Sequence, residues 1–318
     1  MRKKRRQRQG AGRVSRSAAG RRSARTLKKG PVARYAKATW VEAGVLRAIS
    51  QPGPVIAHIS PEPRLPVIQV SFTIPTRIPK LGAGHLVGPL SYVASILYND
   101  HGRNDVLSLS GRSSAQAFGV DFGMEVRGGT LRVDVTYDWS YQNAPNRVHT
   151  NDSISGLILG DNPPPDVIRA ELGDLRLQVI AYLESRFRQF DAQGHPLWGP
   201  PNGFGVMQLD NPAPSARQIW DWRANVTAGK QLFQAKEREI RQHYANILSA
   251  NPGAVPLTED QLRAALYQYY NTGNKAYYWI WDPGSKRWIK SVTAYGDKAM
   301  SIEALAETGR TGEIPDWD

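Results

Sequence analysis

The sequence has 318 residues, which is long enough for two ordinary domains with hydrophobic cores of their own. It contains no cysteine, which excludes a disulfide framework and a thiolate metal site. The formal net charge is +13, but residues 1–34 hold 14 of the 41 Lys and Arg residues and no acidic residue, which leaves 27 basic and 28 acidic residues elsewhere. The nearly neutral charge of residues 35–318 argues against nucleic-acid binding by this part of the chain.

Residues 1–34 have almost no large apolar side chains, so we predict a disordered basic tail. Such a tail can bind nucleic acid or an anionic surface through phosphate neutralisation, act as a delivery signal, or be a solvated segment of no specific use. The sequence leaves these three interpretations open. An apolar core of about 7 to 15 residues does not follow the charges, and no run of about 18 apolar residues occurs, so we predict neither a secretory signal peptide nor a membrane span.

Residues 35–162 are predicted to form a β-rich accessory domain. Three segments alternate apolar and polar residues as half-buried strands do: 68–74, 118–126 and 131–139. Gly128 and Gly129 separate the last two segments, and a two-residue turn there would pair Val126 with Leu131 and put every apolar side chain on one face. We therefore predict a β-hairpin. Its charged outer face has no catalytic pattern and is either simply solvated or part of a targeting module.

The chain after this unit is predicted to be largely helical. Asn162 and Pro163 suit the N-cap and first position of a helix. In the helix after it, Glu184 projects within an apolar arc at helical spacing, formed by Leu177, Ile180, Leu183, Phe187 and Phe190. Burial raises the pKa of a carboxyl group, which suits a general acid. In the alternative interpretation, Glu184 lies at the helix edge, where it reaches water or pairs with Arg188.

Several further elements are predicted beyond this helix. Trp220 and Trp222 belong either to the core or to the wall of a cleft. Thr258 and Gln261 have the spacing of a capping box, which starts a helix that ends at about residues 271–273. The turn sequence 282–285 lies between aromatic-rich strands and predicts a small hairpin. A last helix is expected at about 299–306, followed by a loose end at 313–318.

Four short motifs occur in order after residue 163. They are Glu184-Ser185, Gly-Val-Met-Gln at 205–208, Asn-Val-Thr-Ala-Gly at 225–229 and Tyr-Asn-Thr-Gly at 270–273. Together they resemble the soluble lytic transglycosylase and goose-type lysozyme family over about residues 166–305. The resemblance implies an α+β protein in which a mostly α-helical, lysozyme-like catalytic domain at 163–318 follows the β-rich domain and the disordered basic tail.

The resemblance also implies roles for individual residues. Glu184 would be the catalytic acid, and Tyr270 would approach its carboxyl group. A substrate-binding role is implied for Ser185, Gly205, Met207, Gln208, Asn225, Tyr270 and Asn271. Tyr269 departs from the pattern, which usually has a small alanine there. The six histidines lack ligand-like spacing, so neither a metal site nor a cofactor is predicted.

The implied activity is cleavage of the β-1,4 bond between N-acetylmuramic acid and N-acetylglucosamine, with peptidoglycan strands as partners. One glutamate suffices where the N-acetyl group of the sugar is the nucleophile. The product is then a 1,6-anhydro end or, if water attacks, a hydrolysed one, and Asp191 on the same helical face would hold that water. Action on the cell wall would require release by lysis or a specialised delivery apparatus. The alternatives are an inactive glycan-binding or structural particle protein with the same fold, and a nucleic-acid-associated protein.

Overall fold

The computed structural model describes residues 46–48, 55–59, 61–74, 81–144, 146–291 and 294–317. All of these residues belong to one compact unit. The basic segment 1–34, predicted to be disordered, lies outside the described residues. The division of the chain into separate domains at 35–162 and 163–318 stays a prediction.

Two β-sheets occupy the first part of the described chain. The larger sheet contains β2 (Val55–Ile59), β4 (Gly84–Leu86), β5 (Leu90–Asp100), β6 (Arg103–Ser113), β8 (Gly129–Tyr141) and β9 (Val148–Gly160). Its order is β2-β9-β8-β5-β6, with β4 beside the end of β8; β2 and β9 are parallel and the other described pairs are antiparallel. The smaller, antiparallel sheet contains, in spatial order, β1 (Leu46–Ala48), β3 (Ile68–Phe72) and β7 (Ala117–Val120).

Strand alternation directs the apolar side chains of both sheets into one shared core. In β3 the buried residues are Ile68, Val70 and Phe72, and in β8 they alternate from Leu131 to Tyr141. The rings of Phe72 and Tyr137 meet between the sheets with their centroids 4.5 Å apart. Each large apolar side chain buried in this way stabilises the fold by about 1.5–3 kcal/mol. The predicted strands at 68–74 and 131–139 are confirmed.

The predicted hairpin around Gly128 and Gly129 is wrong. Strand β7 ends at Val120 and pairs with β3, whereas β8 pairs with β5 and β9 in the other sheet. Asp121 ends β7 in a local turn, because its Oδ1 accepts a hydrogen bond from the Gly123 amide at 2.8 Å. The connecting residues then cross between the sheets, and Met124, expected in the core, is 86% exposed. In β3 and β8, alternation correctly predicts which face is buried, but it does not identify the neighbouring strand.

Six α-helices follow in the described residues: α1 (Pro165–Leu172), α2 (Leu175–Ser185), α3 (Ala216–Trp220), α4 (Trp222–Ala250), α5 (Glu259–Thr272) and α6 (Tyr295–Glu307). Thr258 and Gln261 form the capping box that starts α5, as predicted. Two small hairpins also occur, β10 (Trp198–Gly199) with β11 (Gly203–Phe204) and β12 (Trp279–Asp282) with β13 (Arg287–Lys290). The second of these hairpins and the late helix α6 confirm the predictions for that part of the chain.

The expectation of a mostly α-helical domain is wrong. About 34% of the described residues are helical and about 32% are in strands, so the protein is α+β with neither type dominant. The largest departure is the stretch 186–215, which contains no helix and includes the β10–β11 hairpin. This stretch has four glycines and five prolines, and each of these residue types disfavours a continuous helix.

Two expectations about chain ends are also corrected. Asn162 and Pro163 do not start the first helix, because α1 begins at Pro165 with Pro164 as its N-cap. The end of the chain is not loose, because Trp317 is buried with its ring centroid 5.3 Å from that of Tyr182. The guanidinium of Arg169 also donates a hydrogen bond to the Trp317 carbonyl. The contacts of this large aromatic residue with Tyr182 and Arg169, which are distant in the chain, explain the difference at this terminus.

Candidate active site

Glu184 lies in the last turn of α2. This helix starts at Asp174, whose carboxylate accepts a hydrogen bond from the Arg176 amide, and it ends at Ser185. Arg186 and Phe187 then adopt positive φ angles of 57° and 58°, which reverses the chain. The predicted apolar arc therefore stops inside the helix and does not continue to Phe190. Glu184 leaves the helix terminus beside a sharp turn, which exposes one side of its carboxyl group.

The predicted water-holding role of Asp191 is not supported, because Asp191 lies outside the helix. Its Oδ1 accepts hydrogen bonds from the backbone amides of Gln193 and His195, at 2.8 and 2.9 Å. These bonds form a local surface turn. The separation of seven residues places two side chains on one face only where the helix is continuous.

Tyr295, the first residue of α6, is the direct partner of the Glu184 carboxyl group. Its hydroxyl donates a hydrogen bond of 2.6 Å to Glu184 Oε1. Burial and the neighbouring Glu184 raise the pKa of Tyr295, so its hydroxyl keeps the proton that it donates. The side chain of Asn271 also hydrogen-bonds Glu184. Two side chains from different helices thus fix the orientation of this carboxyl group.

Burial raises the pKa of the Glu184 carboxyl group above its ordinary value, and the nearby Asp210 carboxylate raises it further. The hydrogen bonds from Tyr295 and Asn271 act in the opposite direction, because they favour the ionised form. Desolvation is the strongest of these influences, so the pKa is raised. A carboxyl group in this environment holds a proton at a higher pH than a surface glutamate does.

The turn that follows, at residues 204–208, is held from behind by two fully buried amides. Gln189 accepts a hydrogen bond from the Val206 amide at 3.2 Å and donates one to Ile219 O at 2.7 Å. Asn225 accepts from the Met207 amide at 2.9 Å and donates to Phe204 O at 2.9 Å. Each buried amide therefore satisfies a backbone group of the turn and ties it to the rest of the protein.

Gly205 is required at the centre of this turn. It has a φ of +72°, and a Cβ atom there would lie 2.4 Å from Gln189 Oε1 and 2.6 Å from Asn225 Nδ2. Met207 is also buried and packs over Gly229 of α4. Steric constraints therefore explain the glycines in the 205–208 and 225–229 motifs, because they allow the turn to approach α4 closely.

The expected contact between Tyr270 and Glu184 is not formed by a hydrogen bond. The Tyr270 hydroxyl donates to Met207 O at 3.0 Å instead, so Tyr270 supports the turn. Ser185 has a similar supporting role: its buried Oγ lies 2.9 Å from Ala181 O and 2.8 Å from Val206 O, and it accepts a hydrogen bond from the Arg188 amide. The motif residues therefore join α2, α5 and the turn into one unit.

The strand-rich part of the protein anchors the same segment from the other side. Asn162 Oδ1 accepts hydrogen bonds from the amides of Gln189 and Phe190, at 2.7 and 2.8 Å, and its Nδ2 donates to Phe190 O. Phe190 and Trp220 are buried in the core of the two sheets, with their ring centroids 5.8 Å apart. Trp222 is buried too, and its Nε1 donates to Pro61 O. Both tryptophans belong to the core and not to a cleft wall.

A cleft of about 260 Å³ opens over Glu184. Of the residues predicted to bind substrate, Gln208, Tyr270 and Asn271 line this cleft together with Glu184. The others are buried behind it: Ser185, Gly205, Met207 and Asn225. Their geometry suits them to hold the cleft in shape and not to touch a ligand.

Sequence reasoning missed several residues of the site. Tyr295 lies 25 residues after Tyr270 in the chain, and no local pattern indicates that it meets Glu184. Gln189 and Asn162 were missed for the same reason, because their hydrogen bonds join distant segments. Asp210, which lines the cleft, follows the 205–208 motif by two residues, and that proximity is a sequence signal for it. Lys236 and Lys275 also line the cleft.

No family model matches the chain, and a search of the curated proteins also found no match. Within the described ranges, His, Asp and Glu form no group of three or more that could hold a metal ion. The described helices include none that combines the length and the apolar character needed to cross a membrane.

Proposed function

We propose that the chain is a glycosidase that cleaves the β-1,4 bond between N-acetylmuramic acid and N-acetylglucosamine in peptidoglycan. The observation that most supports this proposal is the Glu184 carboxyl group, which is held by Tyr295 and Asn271, has a raised pKa and opens into a cleft. Such a group is equipped to give a proton to a leaving oxygen near neutral pH. The motif resemblance supports peptidoglycan as the glycan that is cleaved.

In the proposed reaction, Glu184 protonates the glycosidic oxygen as the bond to the anomeric carbon breaks. The N-acetyl oxygen of the same sugar attacks that carbon and forms a cyclic intermediate, so a second protein carboxylate is not needed as a nucleophile. Glu184, now ionised, then removes a proton from the incoming hydroxyl, which attacks the anomeric carbon and opens the ring of the intermediate. With the 6-hydroxyl of the same sugar the product is a 1,6-anhydro end, and with water it is a reducing end.

Asp210 provides a test of this single-glutamate mechanism, because it is another carboxylate of the cleft. If Asp210 were a general base for water, Asp210→Asn would lose rate as severely as a Glu184 variant. In the proposed mechanism, Asp210→Asn retains turnover within about tenfold of wild type. Removal of its charge also lowers the pKa of Glu184 towards the ordinary value, which shifts the alkaline limb of the rate profile to lower pH.

The deciding experiment is mass spectrometry of muropeptides released from purified peptidoglycan by the full chain. We expect products cut after N-acetylmuramic acid, predominantly with 1,6-anhydro ends. Glu184→Gln should reduce release by roughly 10² to 10⁴, the range for loss of a general acid. Glu171→Gln is the matched control, because Glu171 is exposed on α1 and lies outside the cleft. Equal release by wild type and Glu184→Gln would refute the assignment, and binding without release by wild type would indicate a glycan-binding protein.

A further inference from the structure

Two lysines line the cleft that contains Glu184. Lys236 lies on α4, and Lys275 ends the short 3₁₀-helix Gly273–Lys275 directly after α5. Within the described part of the chain, neither ammonium forms an ion pair with a carboxylate. Lys290, on the β12–β13 hairpin, is different, because its ammonium lies 2.5 Å from Asp297. The cleft thus offers two cationic groups whose charge is available to a ligand.

Lys236 is held in position by an aromatic neighbour. Its ammonium lies 5.2 Å from the ring centroid of Tyr269, which is within the range of a cation–π interaction. Tyr269 is fixed in turn, because its hydroxyl donates to Glu239 at 2.9 Å and its ring stacks on that of Tyr277 at 5.8 Å. The ring of Tyr277 stacks on His243 at 3.7 Å. Tyr269 is also the residue that departs from the motif pattern. The usual alanine at this position would offer no ring to Lys236, so the cation–π contact depends on this departure.

We propose that Lys236 and Lys275 bind carboxylate groups attached to the glycan, so that the cleft prefers anionic glycan strands to neutral ones. The inference rests on the proposed function and specifies the substrate class of the same site. Peptidoglycan has two sources of such carboxylates: the lactyl ether of N-acetylmuramic acid where it has no peptide, and the peptide stem where it has one. A neutral oligomer of N-acetylglucosamine has neither group.

Asp210 is the opposing charge in this cleft. One carboxylate is outnumbered by two ammonium groups, and Glu184, with its raised pKa, adds less negative charge than an ordinary glutamate does. Both lysines remain in contact with solvent, so each interaction with a ligand is screened and modest. The preference should therefore be strong at low ionic strength and weaken as salt is added, because the Debye length falls from about 30 Å at 0.01 M to about 8 Å at 0.15 M.

The test measures binding by calorimetry with the full-length Glu184→Gln variant, which separates recognition from cleavage. Three tetrasaccharide probes are compared: the N-acetylglucosamine tetramer, a peptide-free strand of alternating N-acetylglucosamine and N-acetylmuramic acid, and the same strand with peptide stems. Lys236→Met and Lys275→Met are added singly and together, since Met keeps an apolar stem and loses the charge. Lys298→Met is the matched control, because Lys298 is exposed on α6 and outside the cleft.

We expect at least one carboxylate-bearing strand to bind more tightly than the neutral tetramer at low salt. Its Kd should rise roughly two- to fivefold with each single lysine variant and about tenfold with both, the range for screened ion pairs. Whichever anionic strand shows this loss identifies the carboxylate as lactyl or stem. Lys298→Met should leave the Kd unchanged.

Equal Kd values for neutral and anionic strands, or a double lysine variant that binds as the parent does, would overturn the inference. Wild-type cleavage of peptidoglycan alongside that result would leave the proposed function intact. A lysine-dependent preference for anionic strands without any cleavage by wild type would support the inference and refute the glycosidase proposal.

Discussion

Removal of the Tyr295 hydroxyl provides a direct test of how Glu184 is tuned. Tyr295→Phe keeps the ring and deletes only the oxygen that donates the 2.6 Å hydrogen bond to Glu184 Oε1. That bond favours the ionised carboxylate and so lowers the pKa of Glu184, while burial raises it. With the bond removed, burial acts with less opposition. The pKa of Glu184 should therefore rise further above its ordinary value.

The size of the shift follows from the strength of the lost bond. A hydrogen bond to a charged group contributes about 1.5–3 kcal/mol, and one pKa unit corresponds to about 1.4 kcal/mol. The loss of a bond of this strength should therefore raise the pKa of Glu184 measurably, although the hydrogen bond from Asn271 limits the rise. Loss of orientation should also reduce turnover by roughly tenfold, which corresponds to about 1.4 kcal/mol of transition-state stabilisation.

Carbon-13 NMR titration of the Glu184 carboxyl group measures this shift without any assumption about substrate, and Glu184→Gln identifies the resonance. The alkaline limb of the rate profile on peptidoglycan should move to higher pH by the same amount. Tyr270→Phe is the matched control, because its hydroxyl donates to Met207 O and not to Glu184. That variant should lose about 1–3 kcal/mol of stability with little change in the titration. An unchanged or lowered Glu184 pKa in Tyr295→Phe would refute the reasoning.

The remaining predictions concern stability. Because the pKa of Glu184 is raised in the folded state, wild type loses stability as pH rises from about 4.5 through that pKa. Glu184→Gln lacks this loss. Its melting temperature relative to wild type should therefore increase across that pH window and stay level below it. Gly205→Ala should cost about 2–4 kcal/mol, because it combines a positive φ with a steric clash against Gln189 and Asn225; a melting temperature equal to wild type would contradict this. Trp220→Ala should cost about 3–5 kcal/mol by chemical denaturation, and a loss below 1 kcal/mol would exclude Trp220 from the core.

Local sequence signals predict those parts of the fold whose stabilising contacts join residues close in the chain. The capping box at Thr258 and the turn between the strands at 279–290 form as expected, because their hydrogen bonds join residues a few positions apart. The hairpin at Gly128 was wrong because strand pairing is a competition among all strands. Strand β8 finds longer partners in β5 and β9, and alternation contains no information about that choice.

The sequence predicts the candidate site only in part, because some of its contacts are local and others join distant segments. The apolar spacing around Glu184 indicated a carboxyl group near the core, and the glycines of the 205–208 and 225–229 motifs indicated a close approach. The motif resemblance predicts Tyr270 as the partner of the carboxyl group, whereas the hydroxyl that donates to it belongs to Tyr295, on a different helix. Both tyrosines are half or fully buried near Glu184, so only the three-dimensional arrangement distinguishes the hydroxyl that orients this carboxyl group from the one that supports the backbone of the turn.

The two sheets have a direct connection to the chemistry of the cleft. The turn at 204–208 lies between two hydrophobic cores. Phe204 packs among the strand residues, whereas Val206 and Met207 pack among the helices. Gln189 and Asn225 hydrogen-bond the backbone at this junction. A shift of either core would therefore move the turn relative to Glu184, and about 1 Å of misplacement is enough to impair catalysis. The strand-rich region thus acts as a structural support for the site, whether or not it also binds a partner through its outer face.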